Sequence, residues 1–295
     1  MRTSTTSTTF TNPVIPGMHP DPSICRVGRD FYLVTSSFEY FPGVPLFHSR
    51  DLVNWEQIGH VLTRPSQVDL RRVRSSGGIY APTIRFAHGR FYVVTTNVDG
   101  GGNFLVTAAR PDGPWSDPIW IDRAGIDPSL LFDGRTVYYT RNGPGSDRDH
   151  PLIYQTTINP RTGKLAGPPR PVWSGLGGIW PEAPHLYKIG GWYYLLTAEG
   201  GTGYDHSIVV ARSRLPGGPF EGCPRNPVLT HRGRPSHAIG ATGHADLVQL
   251  SDGRWWAVML GVRPVRRPVT GEKQRHDVPR DLRHHLGRET FLVPV

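Results

Sequence analysis

Three acidic residues, Asp21, Asp127 and Glu182, stand at matching places in a pattern that the chain repeats. Two share the wording Asp-Pro-Ser, in "HPDPS" and "IDPSL", and the third opens "EAPHLY". His244 of "GHADL" takes the corresponding place once more. Carboxylates gathered in one spot raise one another's pKa by like-charge repulsion. A pair of carboxyls is the standard equipment for breaking a glycosidic bond, one protonating the leaving oxygen and the other activating water. A third carboxylate can hold the acid's pKa up and orient it. One Asp-Pro-Ser alone would read as a turn cap, but three acids in register are not explained by capping. Carboxylates with a histidine could also hold Ca²⁺ or Mn²⁺. The close-spaced ligand motifs of such sites are missing, so no cofactor is expected, with a structural Ca²⁺ near His244 left as an alternative.

The pattern that positions these residues is a glycine turn followed by an aromatic-rich strand. It occurs five times: "GRDFYLVTS" from Gly28, "GRFYVVTTN" from Gly89, "GRTVYYTRN" from Gly134, "GGWYYLLTAE" from Gly190 and "GRWWAVML" from Gly253. Before each turn lies a second run, "HPDPSICRV", "YAPTIRFAH", "IDPSLLFD", "EAPHLYKIG" and "GHADLVQLSD", which reads as the first strand of a hairpin. Five units of roughly 40–60 residues predict an all-β fold, a five-bladed β-propeller with a funnel on its axis. The first strand of each blade lines that axis. Counting back from the turn glycines places Asp21, Asp127, Glu182 and His244 there, with Ala81, Pro82 and the adjacent Tyr80 in the second unit. Asp21 lies between Pro20 and Pro22, and a residue before proline is pushed to an extended conformation.

The 295 residues include 35 Gly and 29 Pro, which fits many short strands and frequent turns. The net charge is +9, but much of the excess lies between Val262 and Arg288, which reads as a solvated arginine-rich loop. No RNA-binding aromatic motif or Cys/His finger spacing accompanies it, so a nucleic-acid partner is not expected. Cys25 and Cys223 are far apart and form neither a disulfide framework nor a zinc spacing. The start, "MRTSTTSTTFTNP", lacks the apolar core of a secretory leader, and no apolar run is long enough for a membrane helix. A cytoplasmic protein with no membrane partner is the expectation.

"NPVIPGMHPDPSICRVGRDFYLVTSSFEYFPGVPLFHSRDLVNWEQIG", "GGIYAPTI", "GIDPSLLFD", "EAPHLYKIGGWYYLLTAEGGTGYDH", "GHADLVQLSDGRWWAVML" and "LGRET" together resemble glycoside hydrolase family 43, the β-xylosidases and α-L-arabinofuranosidases. The resemblance implies a five-bladed propeller and hydrolysis with inversion. It also implies Asp21 as general base, Asp127 as pKa modulator and Glu182 as general acid. Phe38 would wall the sugar pocket, Arg288 would contact the sugar and His244 would lie on the axis. Tyr80 stands where Trp is usual in the family. The implied substrate is a small oligosaccharide derived from hemicellulose, losing a terminal xylose or arabinose. Relatives of this branch commonly continue into a C-terminal β-sandwich. The expected layout is therefore a disordered tail over 1–11 and a propeller over 12–295, with a strand missing from the fifth blade and no such sandwich. A non-catalytic, carbohydrate-binding propeller is the alternative function.

Overall fold

The structure is a computed structural model and describes residues 9–234, 236–266 and 282–295. Most of the expected tail and the centre of the arginine-rich loop lie outside the described residues. Those described form strands, turns and loops; among them no helix is long and apolar enough to cross a membrane.

The chain is a five-bladed β-propeller, each blade an antiparallel sheet. Blade one contains Ser23–Val27, Asp30–Val34, Gly43–Ser49 and Glu56–Leu62, paired in chain order. Blade two contains Thr83–Ala87, Arg90–Asn97, Gly102–Ala108 and Ile119–Asp122; blade three contains Ser129–Asp133, Thr136–Gly143, Leu152–Thr157 and Arg170–Trp173. In blade four Glu182–Ile189, Trp192–Glu199 and Ser207–Ser213 are followed by two short edge pieces, Glu221–Gly222 and Leu229–Thr230. Blade five contains Gly240–Gln249, Trp255–Val262 and Glu289–Pro294. All five expected hairpins form, and Gly28 and Gly134 take φ values of 64° and 60° in their tight turns, where a side chain would be strained.

Strand alternation explains why the blades stack. In blade one Phe31 and Leu33 face blade five, where they meet Val258 and Leu292. Val34, one residue on, faces blade two and packs with Ile84, Val93 and Phe104. Each blade thus shows apolar side chains on both faces, and five buried clusters fill the five gaps between blades. Ring closure uses the N-terminal segment. Thr290 exchanges backbone hydrogen bonds with Ile15 at 3.1 and 3.2 Å, and the Asn12 amide both donates to and accepts from the Leu292 backbone. Residues 12–15 therefore cover the outer edge that blade five's own three strands leave open. Phe10, assigned by its sequence to the tail, packs on Trp256 at 5.9 Å between ring centres.

The inner strands meet around a buried ionic network centred on Asp246 of blade five. Arg85 of blade two donates to both its carboxylate oxygens, at 2.7 and 3.0 Å. The Ser23 hydroxyl and Ile24 N–H of blade one donate to one oxygen, and the Tyr187 hydroxyl of blade four to the other, at 2.6 Å. Four of the five blades are joined at this one group. Asp246→Ala would leave the Arg85 guanidinium buried without its partner, and the expected loss is about 3–5 kcal/mol in urea unfolding. The paired replacement Arg85→Met with Asp246→Leu should restore much of it; an Asp246→Ala loss no larger than that of a surface change would show that the pair does not tie the blades.

Candidate active site

Above the Asp246 network the inner strands carry the three acids predicted from the sequence. Asp21 and Asp127 stand just before the inner strands of blades one and three, while Glu182 and His244 lie within those of blades four and five. The backbone at Asp21 differs from the extended form expected between prolines: φ is 56°, and at Asp127, also before a proline, it is 55°. A left-handed residue there reverses the chain on entry to the strand. Held by tertiary contacts, it costs free energy that the neighbouring structure must offset. Blade four solves the same problem with a bulge. The register slips by one residue between Glu182 and His185, with Ala183 at φ 51°, which accounts for Glu182 standing eight residues before its turn glycine instead of seven. The still longer count at His244 comes from the hairpin loop 250–254, where the other four blades have two residues.

The acids sit in unlike surroundings. Asp21 is 6% exposed. Burial by itself pushes its carboxyl up, but Arg288, His244 and the Ser36 hydroxyl together outweigh burial and hold it below the usual carboxylate range. Arg288 donates to Asp21 Oδ1 at 3.2 Å, Ser36 to Oδ2 at 2.5 Å, and His244 Nδ1 lies 3.6 Å away. Among the described residues Glu182 makes no ion pair. Burial first, then the charges of Asp127 and Asp21, push its carboxyl well above the usual range, against a weaker opposing effect of Arg288. Asp127 is also pushed up, chiefly by burial. Its Oδ2 accepts from the backbone N–H of Ala183 at 3.1 Å and so fixes the peptide next to Glu182.

Phe38, Tyr80 and Arg288 form one wall of the funnel. The two rings meet edge to face at 5.7 Å, and the Arg288 guanidinium stands 5.5 Å from the Phe38 ring centre. Phe38 is anchored by paired backbone hydrogen bonds to Ile79. His206 is fully buried, and burial, reinforced by His244, lowers its pKa to about 3, so the ring is neutral. Glu199, the last residue of the strand Trp192–Glu199, accepts from the Leu176 N–H at 2.8 Å and secures that loop. Among the described residues no group of three or more His, Cys, Asp or Glu could hold a metal ion. Among the described residues the carboxylate paired with His244 is Asp21, which is also engaged by Arg288 and Ser36.

Sequence reasoning missed Ser36, Arg85, His185 and Asp246. A signal was present: "APTIRFAH" and "GHADLVQL" each place one charge within an inner strand, of opposite sign, where an unpaired charge would be costly.

A five-bladed propeller with carboxyls converging at one end of its axis defines the class of protein. The chain belongs to glycosyl hydrolases family 43, whose family model matches residues 10–295. It is 52% identical over 292 residues to a non-reducing end alpha-L-arabinofuranosidase of Bacteroides ovatus, covering 97% of this chain and 51% of that protein. It is 48% identical to a xylosidase/arabinosidase of Butyrivibrio fibrisolvens, covering 96% of this chain and 54% of the relative. Among solved structures, a xylan beta-1,4-xylosidase from Bacillus halodurans superposes with a TM-score of 0.88 at 39% identity, over 97% of this chain and 54% of that one. The chain spans about half the length of the curated relatives it matches.

Space around His206 is closed by Gly243: a Cβ there would collide with the His206 ring. Gly243→Ala should cost about 1–3 kcal/mol in urea unfolding and shift the His206 ring resonances in NMR spectra; unchanged resonances would mean that the ring is not seated against Gly243.

Proposed function

We propose that the chain is the catalytic propeller of an inverting exo-glycosidase that removes terminal xylose or arabinose from short hemicellulose-derived oligosaccharides. The observation that carries this reading is the contrast between two carboxyls facing one funnel: Asp21 is stabilised as an anion and Glu182 as a neutral acid. Inverting hydrolysis requires that division of labour. Water between Asp21 and the sugar gives a proton to Asp21 as its oxygen bonds to the anomeric carbon. Glu182 gives its proton to the glycosidic oxygen as the carbon–oxygen bond breaks. Attack on one face and departure from the other invert the anomeric centre. Asp127 keeps Glu182 protonated by its negative charge and orients it through Ala183. Phe38 and Tyr80 pack against the sugar, and Arg288 has donors for its hydroxyls while still holding Asp21. His244 supports Asp21 from the axis. The relatives are an arabinofuranosidase and a xylosidase/arabinosidase, which supports this substrate class and leaves the two pentoses undivided.

Hydrolysis of nitrophenyl β-xyloside and nitrophenyl α-L-arabinofuranoside, with Asp21→Ala as blank, tests the reading. Turnover of at least one substrate should exceed the blank by about a hundred- to ten-thousandfold. Glu182→Ala should lose much less rate on the nitrophenyl substrate than on xylobiose, because nitrophenolate departs with little protonation. Equal losses on both substrates would contradict the assignment of Glu182 as the acid, and no turnover by the folded protein would contradict catalysis by this chain.

A further inference from the structure

The hairpin turns that join inner to second strands lie at the far end of the inner strands from Asp21 and Asp127, on the opposite face of the propeller. There, between blades two and three, a groove of about 1240 Å³ is lined by Arg90, Arg135, Arg161 and Lys164. No acidic side chain lines it, and none of these four cations makes an ion pair among the described residues. Several basic residues elsewhere are matched, as Arg64 is by Asp117, Arg141 by Asp122 and Lys188 by Asp133, whereas in this groove four unmatched cations share one concavity.

The cations are held on a fixed frame. Arg90 opens the second strand of blade two, directly after its tight turn, and Arg135 sits in the tight turn of blade three. Arg161 and Lys164 belong to an outer turn organised by Asn159, whose N–H donates to the Lys164 carbonyl and whose carbonyl accepts from Gly163, both at 2.9 Å. The Asn159 side chain accepts from the Arg161 N–H, also at 2.9 Å. Four unmatched positive charges around one concavity repel one another, and an anion bound among them relieves that repulsion.

Charge contributed by four side chains from two blades to a groove of this volume suits a ligand with several anionic groups better than one compact phosphate. The groove also presents the hydroxyls of Thr107 and Thr157 beside the half-buried Phe132 ring. Cations for carboxylates and hydroxyls for hydroxyls together match an acidic sugar chain. The neighbouring Tyr92 ring is buried against Phe132 at 4.8 Å, so the groove lacks the open aromatic platforms on which single-stranded nucleic acid stacks. We propose that this groove binds an oligosaccharide carrying carboxylate groups, at a site separate from the funnel. The proposal is independent of the roles given to Asp21 and Glu182.

Isothermal titration calorimetry with tetragalacturonate as probe, on the protein and on Arg135→Ala with Arg161→Ala, tests it. Tetragalacturonate should bind the protein, at least about tenfold more weakly in the double variant, and more weakly as NaCl rises from about 50 to about 200 mM. Nitrophenyl glycoside hydrolysis and thermal unfolding of the variant should match those of the parent. No binding, or binding unchanged in the variant, would overturn the site. Displacement of tetragalacturonate by xylotetraose would move the ligand to the funnel and overturn it too. Equal binding of a thymidine oligonucleotide of the same charge would overturn the assignment to sugars and mark a general polyanion surface.

Discussion

One carboxylate, Asp246, holds the axis of this propeller together. A ring of blades stacked through apolar faces has no intrinsic lock on where its inner strands stand relative to one another. Asp246 supplies one by accepting from blades one, two and four at once, with Arg85 as its counter-charge. Arg85 in turn donates to His185, whose pKa burial lowers to about 3, so its ring is neutral and can accept. His185 lies three residues from Glu182, and Asp246 two residues from His244, on the same strands. The network that positions the inner strands is therefore one short step from the groups that face the funnel. Satisfying every donor is what makes a buried charge tolerable there.

The funnel uses the opposite principle, with charge compensation distributed unevenly. Asp21 receives Arg288, Ser36 and the nearby His244, whereas Glu182 faces two other carboxyls in a buried setting. Two carboxyls of similar intrinsic acidity are thereby driven apart, which is the difference that the proposed roles of base and acid require. The cost appears in the backbone. Asp21, Asp127, Ala183 and His244 all take positive φ at the funnel, and non-glycine residues do so only when the surrounding structure insists.

Much of this was legible in the sequence because a propeller is a repeat. Five glycine turns with aromatic strands give the blade count, and the distance back from each glycine brings Asp21, Asp127 and Glu182 to one end of the axis. Local rules failed where tertiary structure overrode them. Pro22 and Pro128 argue for extended aspartates, yet both are left-handed, because entry into the inner strand sets the chain direction. The cover on the outer edge of blade five was invisible too, since residues 12–15 complete it from the other end of the chain. The Asp246–Arg85 pair joins residues 161 apart, a contact that no local pattern announces.

The proposed mechanism needs the two funnel carboxyls in opposite protonation states. Carbon-13 NMR titration of carboxyl-labelled protein, assigned with Asp21→Asn and Glu182→Gln, measures this directly. A buried acid with a raised pKa stays neutral until the pH climbs through that value, and one with a depressed pKa stays ionised until the pH falls through it. The account predicts that Glu182 is protonated well above the ordinary glutamate value of about 4.3, while Asp21 remains ionised below the ordinary aspartate value of about 3.9. Glu182 ionising at its ordinary value, or Asp21 taking up its proton above Glu182, would contradict it.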